Sequence, residues 1–115
     1  MKATQLLRQY RSGILDFSGA SLHSAHLEAA DLTRINLSQS DLSNADFNDV
    51  DLSGACLQQA NLTNASLIGA SLVGANLSEV NLIGAYLECI VQSLLPSGDR
   101  TLIYAVVEHG EVLDT

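Results

Sequence analysis

The chain has 115 residues, 47 % of them hydrophobic and 4 % aromatic, and it sets 13 acidic against 5 basic side chains for a net charge of −8. That length suits one small domain, and the acidic balance argues against direct binding to nucleic acid, where phosphate neutralisation needs Lys and Arg. No apolar run approaches the roughly 20 residues of a membrane helix, so no membrane contact is expected.

At the start of the chain Leu6, Leu7 and Tyr10 recur at helical spacing, with Lys2, Arg8 and Arg11 on other positions. The pattern predicts a short amphipathic helix within residues 1–14 whose apolar side covers the adjoining part of the chain. The same opening, MKATQLLRQYRSG, lacks the apolar stretch of a signal peptide, and a cytoplasmic location is expected.

From Leu15 to Cys89 the sequence repeats every five residues without insertion, beginning LDFSG, ASLHS, AHLEA, ADLTR and ending, at the fifteenth unit, with AYLEC. The third residue of a unit is Leu except for Phe17 and Phe47; the first is Ala in ten units and otherwise Leu15, Ile35, Ser40, Val50 or Val80. Apolar positions three and then two apart line neither one face of an α-helix nor one face of a flat strand. Each unit is too short to bury its own apolar side chain and must stack on copies of itself. The small first residue fits an inward corner, because two large residues per side would overfill a narrow interior packed at crystal-like density. Leu burial alone does not offset the ordering of so many backbones. Hydrogen bonds between coils and closed ends are therefore required.

This A(D/N)LXX signature, over 75 of the 115 residues, resembles the pentapeptide-repeat family. The resemblance implies an all-β fold, a right-handed quadrilateral β-helix with one unit per side and four per coil. Residues 15–89 would then make nearly four coils, about 18 Å tall at a strand spacing of about 4.8 Å. Residues 1–14 would form an N-terminal cap and residues 90–115 a C-terminal capping segment. In that segment Leu95-Pro96-Ser97-Gly98-Asp99 reads as a turn. The β-formers from Leu102 to Val107, with His109-Gly110 before Val112-Leu113, suit a hairpin. A helix over residues 100–109, started by Asp99 and stopped by Gly110, fits nearly as well.

The repeats carry nine acids against Arg34 alone, whereas residues 1–14 carry three basic groups and no acid. Counted four units to a coil, Glu28, Asp46, Asp49 and Glu88 fall on the third side and Asp31 and Asp51 on the adjoining fourth. A basic protein surface is the natural complement; the alternative is that the acids only keep a stackable β-protein soluble. Ile68, Val73 and Ile83 occupy the outward fourth position on three different sides. Docking of the tail, a dimer contact or simple exposure would each account for them.

No catalytic constellation emerges, and neither cofactor nor metal is expected. His23 and His26 lie near one corner with Glu28, a grouping that solvated surface residues also show. Gly69 and Gly74 have the offset of a phosphate loop, but Ala75-Asn76 stands where Lys and Ser/Thr are needed. The serines lack a nucleophile elbow or a paired histidine. Cys56 and Cys89 fall on opposite sides and should remain reduced. The reading is a non-enzymatic interaction, scaffold or regulatory module that binds an unidentified protein, as a monomer or as a small homodimer joined through the C-terminal segment. The resemblance also implies an alternative, since some family members imitate a charged duplex and bind DNA topoisomerase. A stack spanning only about five base-pair steps of 3.4 Å is short for such a mimic.

Overall fold

The computed structural model describes residues 1–87. Glu88, Cys89 and the hairpin or helix expected in the C-terminal segment lie outside the described residues. Parallel bridges join the second residue of each unit to its counterpart 20 residues on, from Asp16↔Asn36 through Asp31↔Asp51 to Ser66↔Tyr86. Twenty residues per coil is four pentapeptides, so the coil has four sides of one unit each.

The register buries the central residue of all fifteen units, with Phe17 at 5 % the most accessible of them. At the first position Ile35, Val50, Ala55 and Ala65 are buried in the middle of the stack, while Ala20, Ala25 and Ala30 in the first coil are only partly covered. Leu15 departs from the inward expectation and is 41 % exposed, because no preceding unit forms a corner over it. Ser40 is the polar exception in the core. Its hydroxyl donates to the Phe17 carbonyl and accepts from the Ala20 N–H, both at 3.2 Å, so a buried hydroxyl is not left unpaired.

The backbone donors of the unit starting at Val50 show how the coil is held. The Val50 N–H closes a turn to the Phe47 carbonyl (3.1 Å), Asp51 N–H donates down to Ala30 (3.0 Å), and Leu52 and Gly54 N–H donate up to Ser71 and Val73 (2.8 Å each). Ser53 N–H, which has no backbone partner, donates to the Asp51 carboxylate at 3.0 Å. Every donor is satisfied. The turn places the fifth residue of each of the first fourteen units at positive φ, from Gly19 (73°) to Gly84 (75°), with Arg34 (61°) and Glu79 (58°) among the non-glycine examples. Positive φ at this position and a closing N–H to the third residue's carbonyl are the marks of a type II turn. At Gly69 the absence of a side chain is also steric, since a Cβ would collide with a carboxylate oxygen of Asp49 one coil below.

Helix α1 (Ala3–Arg11) covers the first coil. Leu6 is fully buried in the same cluster as the inward Leu residues, with Ala3, Leu7 and Tyr10 packed beside it. Lys2 caps the helix without a side-chain bond, and Arg8 and Arg11 sit in its last turn, where cations suit the helix dipole. Two carbonyls on the first coil's free edge find donors from this segment: Tyr10 Oη donates to Thr33 (2.8 Å) and the Met1 ammonium to Ser21 (3.0 Å). An otherwise open β-edge is thereby partly closed.

Candidate functional site

The second and fourth residues of each unit point outward and form vertical columns on each side. Where the second residue is Asp or Asn, its side-chain oxygen accepts the fourth residue's N–H, as in Asp16–Ser18, Asn36–Ser38, Asp41–Ser43, Asp46–Asn48 and Asn61–Thr63. A Ser or Thr at the fourth position commonly adds its hydroxyl to the same oxygen, at 2.8 Å for Ser18 and 2.6 Å for Ser53. This is the reason the repeat prefers D or N at its second position. Short polar side chains there replace a missing backbone acceptor. The sequence reading missed this role, although the recurring DLS, NLS, DLT and NLT triplets are its signal.

The capping bonds hold the Asp41 and Asp51 carboxyls below the usual aspartate range, chiefly through the Ser43 and Ser53 hydroxyls and then their N–H groups. Asp16 is lowered in the same way, with the Ser18 N–H leading. His23, on the second side, adds a weak favourable charge to Asp41. It does not join His26, which is paired instead with Glu28 at 3.0 Å between Nδ1 and Oε1. Asp46 stands one coil above His26 and completes a group whose donor atoms lie within 4.8 Å of one another.

Of the expected acidic surface, Glu28, Asp31 and Asp49 are exposed and Asp46 and Asp51 half-buried. Glu88 lies outside the described residues. The parallel bridges His26↔Asp46 and Asp31↔Asp51 stack each pair within its column, and Asp49 occupies the corner between the two sides. Among the described residues the one contact between a basic and an acidic side chain at salt-bridge distance is His26–Glu28; His26 also stands below Asp46, while Asp31, Asp49 and Asp51 have no basic side chain at that distance. Glu79 belongs elsewhere, at the top of a corner ladder in which Gln39 donates to Gln59 (2.9 Å) and Gln59 to Glu79 (3.1 Å). Where the acidic sides meet α1, a groove runs between Leu7, Tyr10 and Arg11 of the helix and Glu28 and Asp31 of the first coil.

Above the second coil both sides change character. Ser66 and Ser71 replace the aspartates of the second position, and Ile68 (38 %) and Val73 (55 %) stand exposed at the fourth. Tyr86 (55 %) and Ile83 (45 %) extend the exposed apolar groups. Cys56 is a half-buried free thiol. No described helix is long and apolar enough to cross a membrane.

This architecture defines a class, the stacked pentapeptide solenoid. Pentapeptide repeats match residues 16–54 and 55–88 in eight copies, and the chain belongs to that family, whose members form right-handed quadrilateral β-helices. Among solved structures it is similar to HetL, a pentapeptide repeat protein involved in heterocyst differentiation regulation from Nostoc sp. strain PCC 7120. That likeness has a TM-score of 0.67 and 31 % identity, over 76 % of this chain and 41 % of HetL. It is also similar to alr5209, a pentapeptide repeat protein of the same organism, with a TM-score of 0.50 and 38 % identity over 77 % of this chain and 78 % of that one. Two putative diflavin flavoproteins of Nostoc, A 4 and A 6, share 69 % and 60 % identity with it over 29 and 30 residues, about a quarter of this chain. The chain spans only 5 % of the length of these curated relatives.

Proposed function

We propose that the chain is a non-enzymatic interaction module, acting in the cytoplasm, whose acidic third and fourth sides dock a basic surface of a protein partner. The observation that carries this reading is the choice between Asp and Asn. On the first and second sides the capping position holds a mixture, Asp16, Asn36 and Asn76 on one and Asp41, Asn61 and Asn81 on the other. On the third and fourth sides every Asp or Asn at that second position is Asp: Asp31, Asp46 and Asp51. Asn supplies the same acceptor oxygen without charge, so the fold does not require these carboxylates. Stacking Asp51 on Asp31 at about the 4.8 Å coil spacing is moreover unfavourable for like charges. Fixed negative charge on two flat adjoining sides, with His26 the one basic side chain beside it on those sides at salt-bridge distance, offers electrostatic complementarity and steering.

The described similarity to HetL, whose reported involvement is regulatory, agrees with a role exercised through binding. Duplex mimicry gains no such support, because the rows of carboxylates give way to Ser66, Ile68, Ser71 and Val73 above the second coil. The test is to replace Glu28 by Gln and Asp31, Asp46, Asp49 and Asp51 by Asn, which keeps the caps. Capture of the partner from native extract should be lost while the circular dichroism spectrum is kept, and added salt should slow association to the unaltered chain. Undiminished capture by the neutralised variant would remove these sides as the docking surface.

A further inference from the structure

We propose that His26, Glu28 and Asp46 form a surface site for a divalent transition-metal ion, Zn²⁺ being the best match. His26 Nδ1 and Glu28 Oε1 already lie 3.0 Å apart, and a carboxylate oxygen of Asp46 falls within the same 4.8 Å group. Three donors on one tetrahedral Zn²⁺ sit about 3.4 Å from each other, given metal–ligand bonds of about 2.0–2.2 Å. Closing the group therefore takes side-chain rotations of an ångström or so and no backbone movement. The backbone is fixed: His26 and Asp46 are bridged neighbours in adjacent coils, and Glu28 lies two residues beyond His26 on the same outward face.

Asp46 can serve two roles at once. One oxygen accepts the Asn48 N–H at 3.0 Å, which orients the carboxylate as outer-shell hydrogen bonds orient metal ligands, and the second oxygen remains for a cation. An imidazole with two carboxylates is a donor set for Zn²⁺ and its first-row neighbours rather than for Ca²⁺ or Mg²⁺, which prefer oxygen alone. The imidazole is what distinguishes this group from the other acids of the surface. At this position His26 also forgoes the Asp or Asn cap that Glu28 N–H would otherwise receive. Three protein ligands leave the remaining position to water, so the site is open. Asp31 and Asp49 nearby raise the local cation concentration.

The experiment is a calorimetric titration of the full chain with ZnCl₂ at neutral pH under reducing conditions, beside His26→Ala, Glu28→Gln and Asp46→Asn, with His23→Ala as control. His26 has a side chain 80 % exposed and Asn keeps the cap at position 46, so the variants should retain the fold, checked by circular dichroism. We expect one saturable site in the micromolar range, weakened at least tenfold by each of the three substitutions and unchanged by His23→Ala. In proton NMR the His26 ring signals should shift on titration ahead of those of His23. Equal affinity in the His26→Ala chain, as would result from binding at Cys56 or Cys89, overturns the proposal. So does the lack of saturable binding up to millimolar Zn²⁺.

Discussion

Replacing Asp51 by Ala and by Asn separates the two roles that one carboxylate can hold. Its oxygen accepts the Ser53 N–H at 3.0 Å and the Ser53 hydroxyl at 2.6 Å, and the hydroxyl also meets Ser71 at 3.0 Å. Hydrogen bonds to a charged group contribute about 1.5–3 kcal/mol each when well desolvated. Asp51 is only half-buried, so solvent screening reduces the pair to about 1–3 kcal/mol in total. Ala removes both bonds and strands the Ser53 N–H. Asn keeps both as neutral bonds and relieves the repulsion with Asp31 directly below. The expected outcome is a loss of about 1–3 kcal/mol for Asp51→Ala and a change within about 0.5 kcal/mol for Asp51→Asn. Urea unfolding followed by far-ultraviolet circular dichroism measures both, with the slope of the transition checked for constancy. Equal losses in the two variants would refute the capping argument and make the charge itself the structural requirement.

Leu52→Ala, in the middle of the stack and fully buried, should cost about 2–5 kcal/mol, because bridged coils above and below cannot collapse into the cavity. Gln58→Ala, at an exposed fourth position, should stay within about 0.5 kcal/mol, and equal unfolding midpoints for the two would contradict the inside/outside assignment. Stability should also fall in acid. The folded-state values of Asp41 and Asp51 lie below the ordinary 3.8, so their contribution is complete above that value and disappears as pH falls through the lowered ones. The combined variant Asp41→Asn and Asp51→Asn should accordingly show a shallower decline in unfolding free energy below about pH 4, and an unchanged slope would assign the acid sensitivity to other groups.

The solenoid was legible because its signal is global. One unbroken register settles which residue of every unit faces in, and each of the fifteen central side chains obeys it. The helix over residues 3–11 was legible from Leu6, Leu7 and Tyr10, since an end coil needs a cover. Harder to read was the outward surface, where meaning depends on hydrogen bonds two residues away and on neighbours twenty residues away. Asp31, Asp46 and Asp51 looked like plain surface charge, yet each accepts a backbone N–H. His23 and His26 looked like one cluster because they stand three positions apart, whereas a corner of the coil parts them and the 20-residue period brings Asp46 to His26 instead. Left-handed turn residues were half legible: Gly54 and Asn44 announce positive φ, but Arg34 and Glu79 adopt it because the coil closes only with that turn.

The capping rule also narrows what the acidic surface can mean. A fold that accepts Asp or Asn interchangeably at its second position leaves the charge of that column free to vary without loss of the backbone bond. Solubility alone would be served by acids spread over all four sides, and the Asn residues of the first and second sides show that the neutral choice is available to this chain. With Glu28 and Asp49 added to the caps Asp31, Asp46 and Asp51, the two coils nearest α1 carry more acids on two adjoining sides than the single Asp16 and Asp41 place on the other two, and that imbalance creates a directional field that an even arrangement would cancel. Arg11 of α1 borders the same groove as Glu28 and Asp31, so the lower rim of the acidic face meets the basic end of the helix. A partner whose basic patch is flanked by an acidic residue would match that polarity in one orientation only. Electrostatics of this kind fixes register and discriminates between partners more than it adds to affinity.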